Sequence, residues 1–174
     1  MLFLDNGNRM YYAQMRKFDI ANGLGIRATL FVSGCTHKCH GCFNSDYQDF
    51  EYGTLWDEIS ENTFMSYVKN ENVQGVSILG GEPMEQDTHL RNLLKRIKEE
   101  TGKHIWIYSG DTFETIINNP DKKAILQYCD VLVDGPFIES LKSLKLKFRG
   151  SSNQRIIDVQ ASLKANKVIL FQID

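Results

Sequence analysis

The chain has 174 residues, a length that suits one domain with its own hydrophobic core, and we expect a single domain over residues 1–174. Hydrophobic residues make up 42% of the chain and charged residues 24%, which is typical of globular proteins. The formal net charge of −2 excludes a global field that would draw the chain to nucleic acid or to a membrane surface. The apolar runs are too short to cross a bilayer and the N-terminus lacks a secretory pattern, so we expect a cytoplasmic protein.

Strand and helix patterns alternate along the chain. The predicted elements are a strand over 25–33, a helix over 61–69, a strand over 73–79, a helix over 87–101, a strand over 104–109, a short helix capped by Asp111, a helix over 122–128, and strands over 131–134, 155–159 and 167–173. This alternation predicts an α/β fold with a mostly parallel sheet. The chain is well short of the ~250 residues of a full eight-fold barrel, so we expect a partial, open βα barrel.

Three of the four cysteines lie close together, directly after the first predicted strand. Cys35, Cys39 and Cys42 form a C-x3-C-x2-C pattern. In a reducing compartment such a group indicates a metal or catalytic site rather than a disulfide framework. A [4Fe–4S] cluster normally takes four cysteines, so three would leave one iron open to a substrate.

Other interpretations of the cysteines have to be weighed. Cys129 as a fourth ligand conflicts with the strand pattern, which puts it at the opposite edge of a parallel sheet from the cysteine loop, and we expect a small buried hydrophobe there. Structural zinc with His37 or His40 as fourth ligand is a second alternative, although zinc motifs usually contain two separated pairs. A redox pair of Cys39 and Cys42 leaves the third cysteine without a role.

A second motif makes a resemblance specific. The Gly80-Gly81-Glu82-Pro83 segment follows the next predicted strand, and with the cysteines it resembles the radical S-adenosylmethionine superfamily. The resemblance implies that the open iron binds the amino and carboxylate groups of methionine. It also implies that Gly80, Gly81 and Glu82 approach the amino group through their backbone, which glycine permits because it has no Cβ. Ser109, at a strand end, is a candidate contact for the methionine carboxylate or ribose. An ordinary turn before a helix is the alternative for the glycines.

Further segments narrow the resemblance. Residues 19–27, 134–137 and 149–155, together with the cysteine loop, are similar to the activating proteins of the anaerobic (class III) ribonucleoside-triphosphate reductase. Many superfamily members have an aromatic residue before the third cysteine, where it contacts adenine, whereas this chain has Gly41. The cofactor-binding set is therefore expected to include Gly41, Cys42 and Phe43, with Phe43 or the backbone near Gly41 against adenine.

The resemblance also implies a reaction. A low-potential donor such as flavodoxin or ferredoxin reduces the cluster, S-adenosylmethionine is cleaved to methionine and a 5′-deoxyadenosyl radical, and the radical takes a hydrogen atom from a glycine of the reductase large subunit. The cofactors supply this chemistry, so no catalytic side chain is expected beyond the cluster ligands. Two alternatives stay open. One is a related small radical enzyme, such as an activase of a different glycyl radical enzyme, and the other is a non-catalytic iron–sulfur or zinc module.

Two further segments are weaker candidates. Residues 153–155 are candidates for cofactor binding or partner docking, or for a surface charge at a strand start. A basic run could meet an acidic partner or form a solvated loop. Its members are Lys142, Lys145, Lys147 and Arg149. His37 lies inside the cysteine loop and is a candidate hydrogen-bond partner for a cluster sulfur.

Overall fold

One seven-stranded sheet organises the computed structural model, which describes residues 9–173. The strands are β1 (Tyr11–Asp19), β2 (Arg27–Val32), β3 (Thr54–Leu55), β4 (Gly75–Gly80), β5 (His104–Tyr108), β6 (Val131–Asp134) and β7 (Arg155–Asp158). The α-helices are α1 (Glu58–Val68), α2 (Asp87–Thr101), α3 (Phe113–Ile117), α4 (Pro120–Leu126) and α5 (Val159–Ala165).

The sheet is mixed but largely parallel. Its strand order is β3-β1-β2-β4-β5-β6-β7, with β2, β4, β5 and β6 parallel and the outer strands antiparallel to their neighbours. Within residues 9–173 the two edge strands do not pair with each other, so the sheet is open. The predicted α/β class and mostly parallel sheet are confirmed.

Side chains alternate between two faces along the central strands. The helix-bearing face packs against α1, α2 and α4 and supplies the main core with side chains such as Leu30, Ile78 and Ile107. The other face, here called the cavity face, carries Trp106 and Val133 in a smaller cluster. Because successive strand residues point to opposite faces, neighbouring positions in one strand enter different environments.

The helix ends follow local capping chemistry. Asp57 caps α1 by accepting a hydrogen bond from the Ser60 amide, and Asn119 caps α4, whose first residue is Pro120. Helix α2 ends at Gly102, whose φ of 64° is left-handed and suits glycine.

Several predicted elements need correction. The strand β1 and helix α5 were not predicted, and the predicted strand over 167–173 contributes only one bridge, between Leu170 and Ile157. The cap of α3 is Thr112, not Asp111, since the Thr112 side chain accepts from the Thr115 amide. Helix α4 begins at Pro120, two residues earlier than predicted, because proline suits the first turn of a helix. The prediction for α2 is confirmed at both ends.

No helix in the described part of the chain is long and apolar enough to cross a membrane.

Candidate functional site

The cysteine loop leaves the end of β2 and borders a cavity of about 580 Å³. Cys35, Cys39 and Cys42 are half-buried free thiols and all three line this cavity. The loop start is fixed by its backbone, because the Gly34 amide donates to the Tyr47 carbonyl at 2.7 Å. The spacing therefore places three thiols along one cavity.

The two-glycine segment after β4 packs directly on the start of the cysteine loop. The Gly81 amide donates to the Val32 carbonyl and the Glu82 amide to the Gly34 carbonyl, each at 2.7 Å. A Cβ on Gly81 would lie 2.5 Å from the Gly34 carbonyl oxygen, and Gly80 has a φ of +111°. Both positions thus require glycine to join the two loops, besides any contact with a cofactor.

Glu82 is fully buried and ties the cysteine loop to the end of β5. Its Oε1 accepts from His37 Nε2 at 2.8 Å, from the Ser109 hydroxyl at 2.9 Å and from the Gly110 amide at 2.7 Å. Its Oε2 accepts from the Met84 amide at 3.0 Å. We call this group the Glu82 latch. The sequence named Glu82 and Ser109 as cofactor contacts but gave no sign that they bind each other.

The two histidines of the cysteine loop both pair with carboxylates. His37 lies 3.5 Å from Asp111 as well as close to Glu82, and its hydrogen bond to Glu82 raises the pKa of the imidazole above its ordinary value. His40 is 95% exposed and lies 3.1 Å from Glu139. In both histidines the atom closest to the carboxylate is Nε2.

The two kinds of cysteine differ in position and surroundings. Cys129 is fully buried before β6, and since β2 and β6 run parallel, it lies at the opposite edge of the sheet from Cys35. The expectation of a buried hydrophobe at Cys129 is confirmed. Burial raises the pKa of the Cys35 thiol to about 11, with further contributions from Glu82 and Glu85. A metal that binds Cys35 would therefore have to displace a proton.

Aromatic rings line the cavity, and one of them, Phe43, belongs to the predicted cofactor-binding set. Phe43 is 57% exposed and packs at a tilt of 51° against Phe137, with ring centroids 4.7 Å apart, and both rings line the cavity. Gly41 is not among the residues that line it. A Cβ there would lie 2.7 Å from the Glu139 carboxyl carbon, and its φ of +71° also favours glycine. The remaining predicted cofactor residues do line the cavity: Cys42, Gly80, Gly81, Glu82 and Ser109.

Tyr108 was missed by the sequence analysis as a cavity residue. It ends β5 on the cavity face, and its buried hydroxyl has no hydrogen-bond partner among the residues that the structure describes. Burial raises the pKa of this phenol, so the hydroxyl stays a neutral donor. The alternation of residues 104–109 contained the signal, because it puts Tyr108 on the same face as Trp106.

The candidates at 153–155 have structural partners. Arg155 binds Asp134 and Glu114, with Nη2 at 2.6 Å and 2.8 Å from their carboxylates. Gln154 accepts from the Gly150 amide at 2.8 Å and also lines the cavity. Asn153 donates to the Pro136 carbonyl. These contacts fix the segment after β6 to the start of β7.

The donor set suits an iron–sulfur cluster. Thiolates are the usual ligands of such clusters, and the three cysteines that line this cavity come from one loop. Beside them the cavity is lined by backbone and aromatic groups, and three cysteines at one cavity are typical of an iron–sulfur protein. In agreement, residues 21–157 match the family model described as a 4Fe-4S single cluster domain.

Curated relatives define the family more closely. The chain is 38% identical over 153 residues to the anaerobic ribonucleoside-triphosphate reductase-activating protein of Haemophilus influenzae, an alignment that covers 84% of this chain and 97% of the relative. Identity is 39% over 156 residues to the protein of the same name from Pasteurella multocida (84% and 96% covered), and 36% over 150 residues to that of Escherichia coli K12 (83% and 96%). The chain belongs to this family of activating proteins.

Proposed function

We propose that this chain is the activating enzyme of an anaerobic ribonucleoside-triphosphate reductase and generates the glycyl radical on its large subunit. The name shared by the relatives supports this proposal. The observation that carries it is geometric: all three cysteines of the C-x3-C-x2-C loop and the Gly80–Glu82 segment line one cavity.

In this proposal Cys35, Cys39 and Cys42 would hold a [4Fe–4S] cluster, with S-adenosylmethionine beside it at the Gly80–Glu82 segment and Ser109. When bound, the cluster supplies the electron that cleaves S-adenosylmethionine reductively. The order of the motifs supports a sheet of the radical S-adenosylmethionine type, since both motifs follow the carboxyl ends of neighbouring parallel strands.

The chain's own residues position the reactants and shield them. The Glu82 latch holds the cysteine loop against the end of β5, so the ligand sulfurs keep their place relative to the cofactor pocket. Phe43 and Phe137 cover part of the cavity mouth with apolar surface, which lowers the access of water to a reactive intermediate. Gly41, with its left-handed φ of +71°, permits a turn directly before Cys42, which lines the cavity.

We further propose that a low-potential protein such as flavodoxin or ferredoxin delivers the electron. His40 directly follows Cys39 and is 95% exposed. The cysteine loop therefore reaches the protein surface, where an electron donor could approach it, and this supports the proposal.

The test is anaerobic reconstitution followed by dithionite and S-adenosylmethionine. We expect the brown absorption of a cubane cluster, 5′-deoxyadenosine as product, and a glycyl radical EPR doublet on the reductase when it is added. Cys39→Ala should abolish all three. Cys129→Ala is the matched control, since it removes a thiol from the opposite edge of the sheet and should keep all three.

Each alternative predicts a different result. One zinc ion per chain, without visible absorption, would show that the cysteines bind zinc and not an iron–sulfur cluster. A cluster without 5′-deoxyadenosine would indicate a non-catalytic module. A radical on a different glycyl radical enzyme, and none on the reductase, would move the activity to another partner.

A further inference from the structure

A basic segment borders the mouth of the cavity. Residues 141–150, here called the basic strap, contain four cationic and no acidic side chains, although the whole chain has a net charge of −2. Lys142, Lys145 and Lys147 are exposed, and none of them has a carboxylate partner among the described side chains. Lys142 instead lies over the Phe43 ring, with Nζ 4.7 Å from its centroid. The strap is thus a local positive surface on a slightly negative protein.

Exposed apolar side chains accompany this charge. Leu144, between the lysines, is 92% exposed, the highest value among the large hydrophobic side chains that the structure describes, and Leu141 is 41% exposed. These two leucines add exposed apolar surface to the positive surface of the lysines.

The strap is held in one conformation by its ends. Phe148 adopts a left-handed φ of 60° and packs edge-on against Trp106, with ring centroids 5.4 Å apart. Gln154 accepts hydrogen bonds from the Gly150 and Ser151 amides at 2.8 Å and 3.1 Å. Because these contacts fix the loop before a partner arrives, binding loses less conformational entropy.

The strap is continuous with the proposed active site. Its residues Lys142, Ser143, Leu144, Leu146, Phe148 and Arg149 line the same cavity as the three cysteines. A polypeptide that places a glycine in this cavity would therefore lie against the strap.

We propose that the basic strap is the docking surface for the reductase segment that surrounds the target glycine, and that this segment carries acidic side chains around an apolar contact for Leu144. The inference rests on the proposed function and names the chemistry of its macromolecular substrate. Charges at the rim of such a contact mainly speed association and are weakened by salt, while the apolar anchor is not.

The experiment compares binding with cofactor cleavage in the reconstituted enzyme. We expect K145E/K147E to weaken reductase binding about tenfold at low salt, a difference that shrinks at high salt. We expect Leu144→Ser to weaken binding at all salt concentrations. Formation of 5′-deoxyadenosine from dithionite and S-adenosylmethionine without reductase should be the same in K145E/K147E and in the unmodified protein, because neither lysine lines the cavity.

The matched control is K164E/K167E, which makes the same change in net charge at two exposed lysines beyond β7. It should bind the reductase normally. Unchanged reductase affinity in K145E/K147E would overturn the docking surface while leaving the proposed function intact. A second contrary result is that K145E/K147E forms less 5′-deoxyadenosine only when a protein such as flavodoxin replaces dithionite as the reductant. That result would also overturn the docking surface, since the strap would then bind the electron donor. Absence of 5′-deoxyadenosine from the unmodified enzyme would instead contradict the proposed function.

Discussion

The two faces of the central sheet use neighbouring residues of the same strands for different purposes. On β2, Leu30 and Val32 enter the core beneath the helices and are fully buried. Arg27 and Thr29, also buried, lie on the cavity face and make hydrogen bonds instead. The helix-bearing face of β2 is thus part of an ordinary apolar core, whereas the cavity face of the same strand buries polar groups.

The two faces therefore contribute differently to the free energy of folding. The apolar face gains free energy from burial alone, roughly in proportion to area. The cavity face has to satisfy a buried guanidinium, a buried carboxylate at Asp19 and the Tyr108 hydroxyl, and it leaves the last of these without a partner among the described residues. We expect substitutions on the helix-bearing face to lower stability, whereas those on the cavity face can lower or raise it.

The largest loss of stability is expected on the helix-bearing face. Phe64 of α1 is fully buried and packs on Trp56 with ring centroids 6.3 Å apart. Phe64→Ala should lower the free energy of unfolding by about 4 kcal/mol through lost burial and a cavity. Urea titration gives the value, and 5′-deoxyadenosine formed per folded molecule should not change. Ile59→Ala, at a residue 77% exposed on the same helix, should cost less than about 0.5 kcal/mol. Equal losses for the two variants would contradict the assignment of α1 to the core.

On the cavity face the largest loss is expected at Arg27. Burial lowers the pKa of this guanidinium to about 10, so it remains charged at neutral pH, and it donates to the Ser77 hydroxyl and to three carbonyls. Arg27→Met should cost about 3 kcal/mol because these acceptors lose a charged donor. Arg16→Met, at an exposed arginine, should cost less than about 1 kcal/mol in the same titration. A small effect at Arg27 would mean that these buried hydrogen bonds contribute little net stability.

A smaller loss, with a functional consequence, is expected at the Glu82 latch. A carboxylate accepts at both oxygens, whereas an amide would point its NH₂ at existing donors. Glu82→Gln should therefore cost about 2 kcal/mol and speed the loss of the cluster to a chelator. Both are measurable, by urea titration and by the decay of visible absorption. The control Glu85→Gln keeps an oxygen for its Thr36 partner and should behave like the unmodified protein. If the visible absorption decays at the same rate in both variants, the Glu82 latch does not help to retain the cluster.

How far the sequence predicts this molecule depends on the range of the contacts. Helix α2 was predicted at both ends because Leu90, Leu94 and Ile97 repeat with the helical period and Gly102 ends it. Strand β1 was missed because its apolar and polar residues do not alternate regularly and most of its side chains are only partly buried. The apolar run over 167–173 imitates a strand, but apart from Leu170 it joins β7 only through single backbone hydrogen bonds.

The same distinction holds at the site. The three cysteines were recognised from local spacing, and the two glycines from a motif at a strand end. The latch joins His37 to Glu82 across 45 residues, and the hydrogen bond from Ser109 to Glu82 spans 27. Spacing along the chain carries no information about such pairs, so only the folded sheet, which brings the ends of β2, β4 and β5 together, reveals them.

The smallest effect expected is a gain, at Tyr108 on the cavity face. Its buried hydroxyl has no protein partner within residues 9–173, so Tyr108→Phe should raise the free energy of unfolding of the unliganded protein by about 1 kcal/mol. Tyr47→Phe is the control, because the Tyr47 hydroxyl accepts a hydrogen bond from Gln14 at 2.7 Å, and its removal should cost about 1 kcal/mol. A lower free energy of unfolding in both variants would show that the Tyr108 hydroxyl has a hydrogen-bond partner in solution. Opposite signs would mean that the cavity face keeps a polar group at the expense of stability.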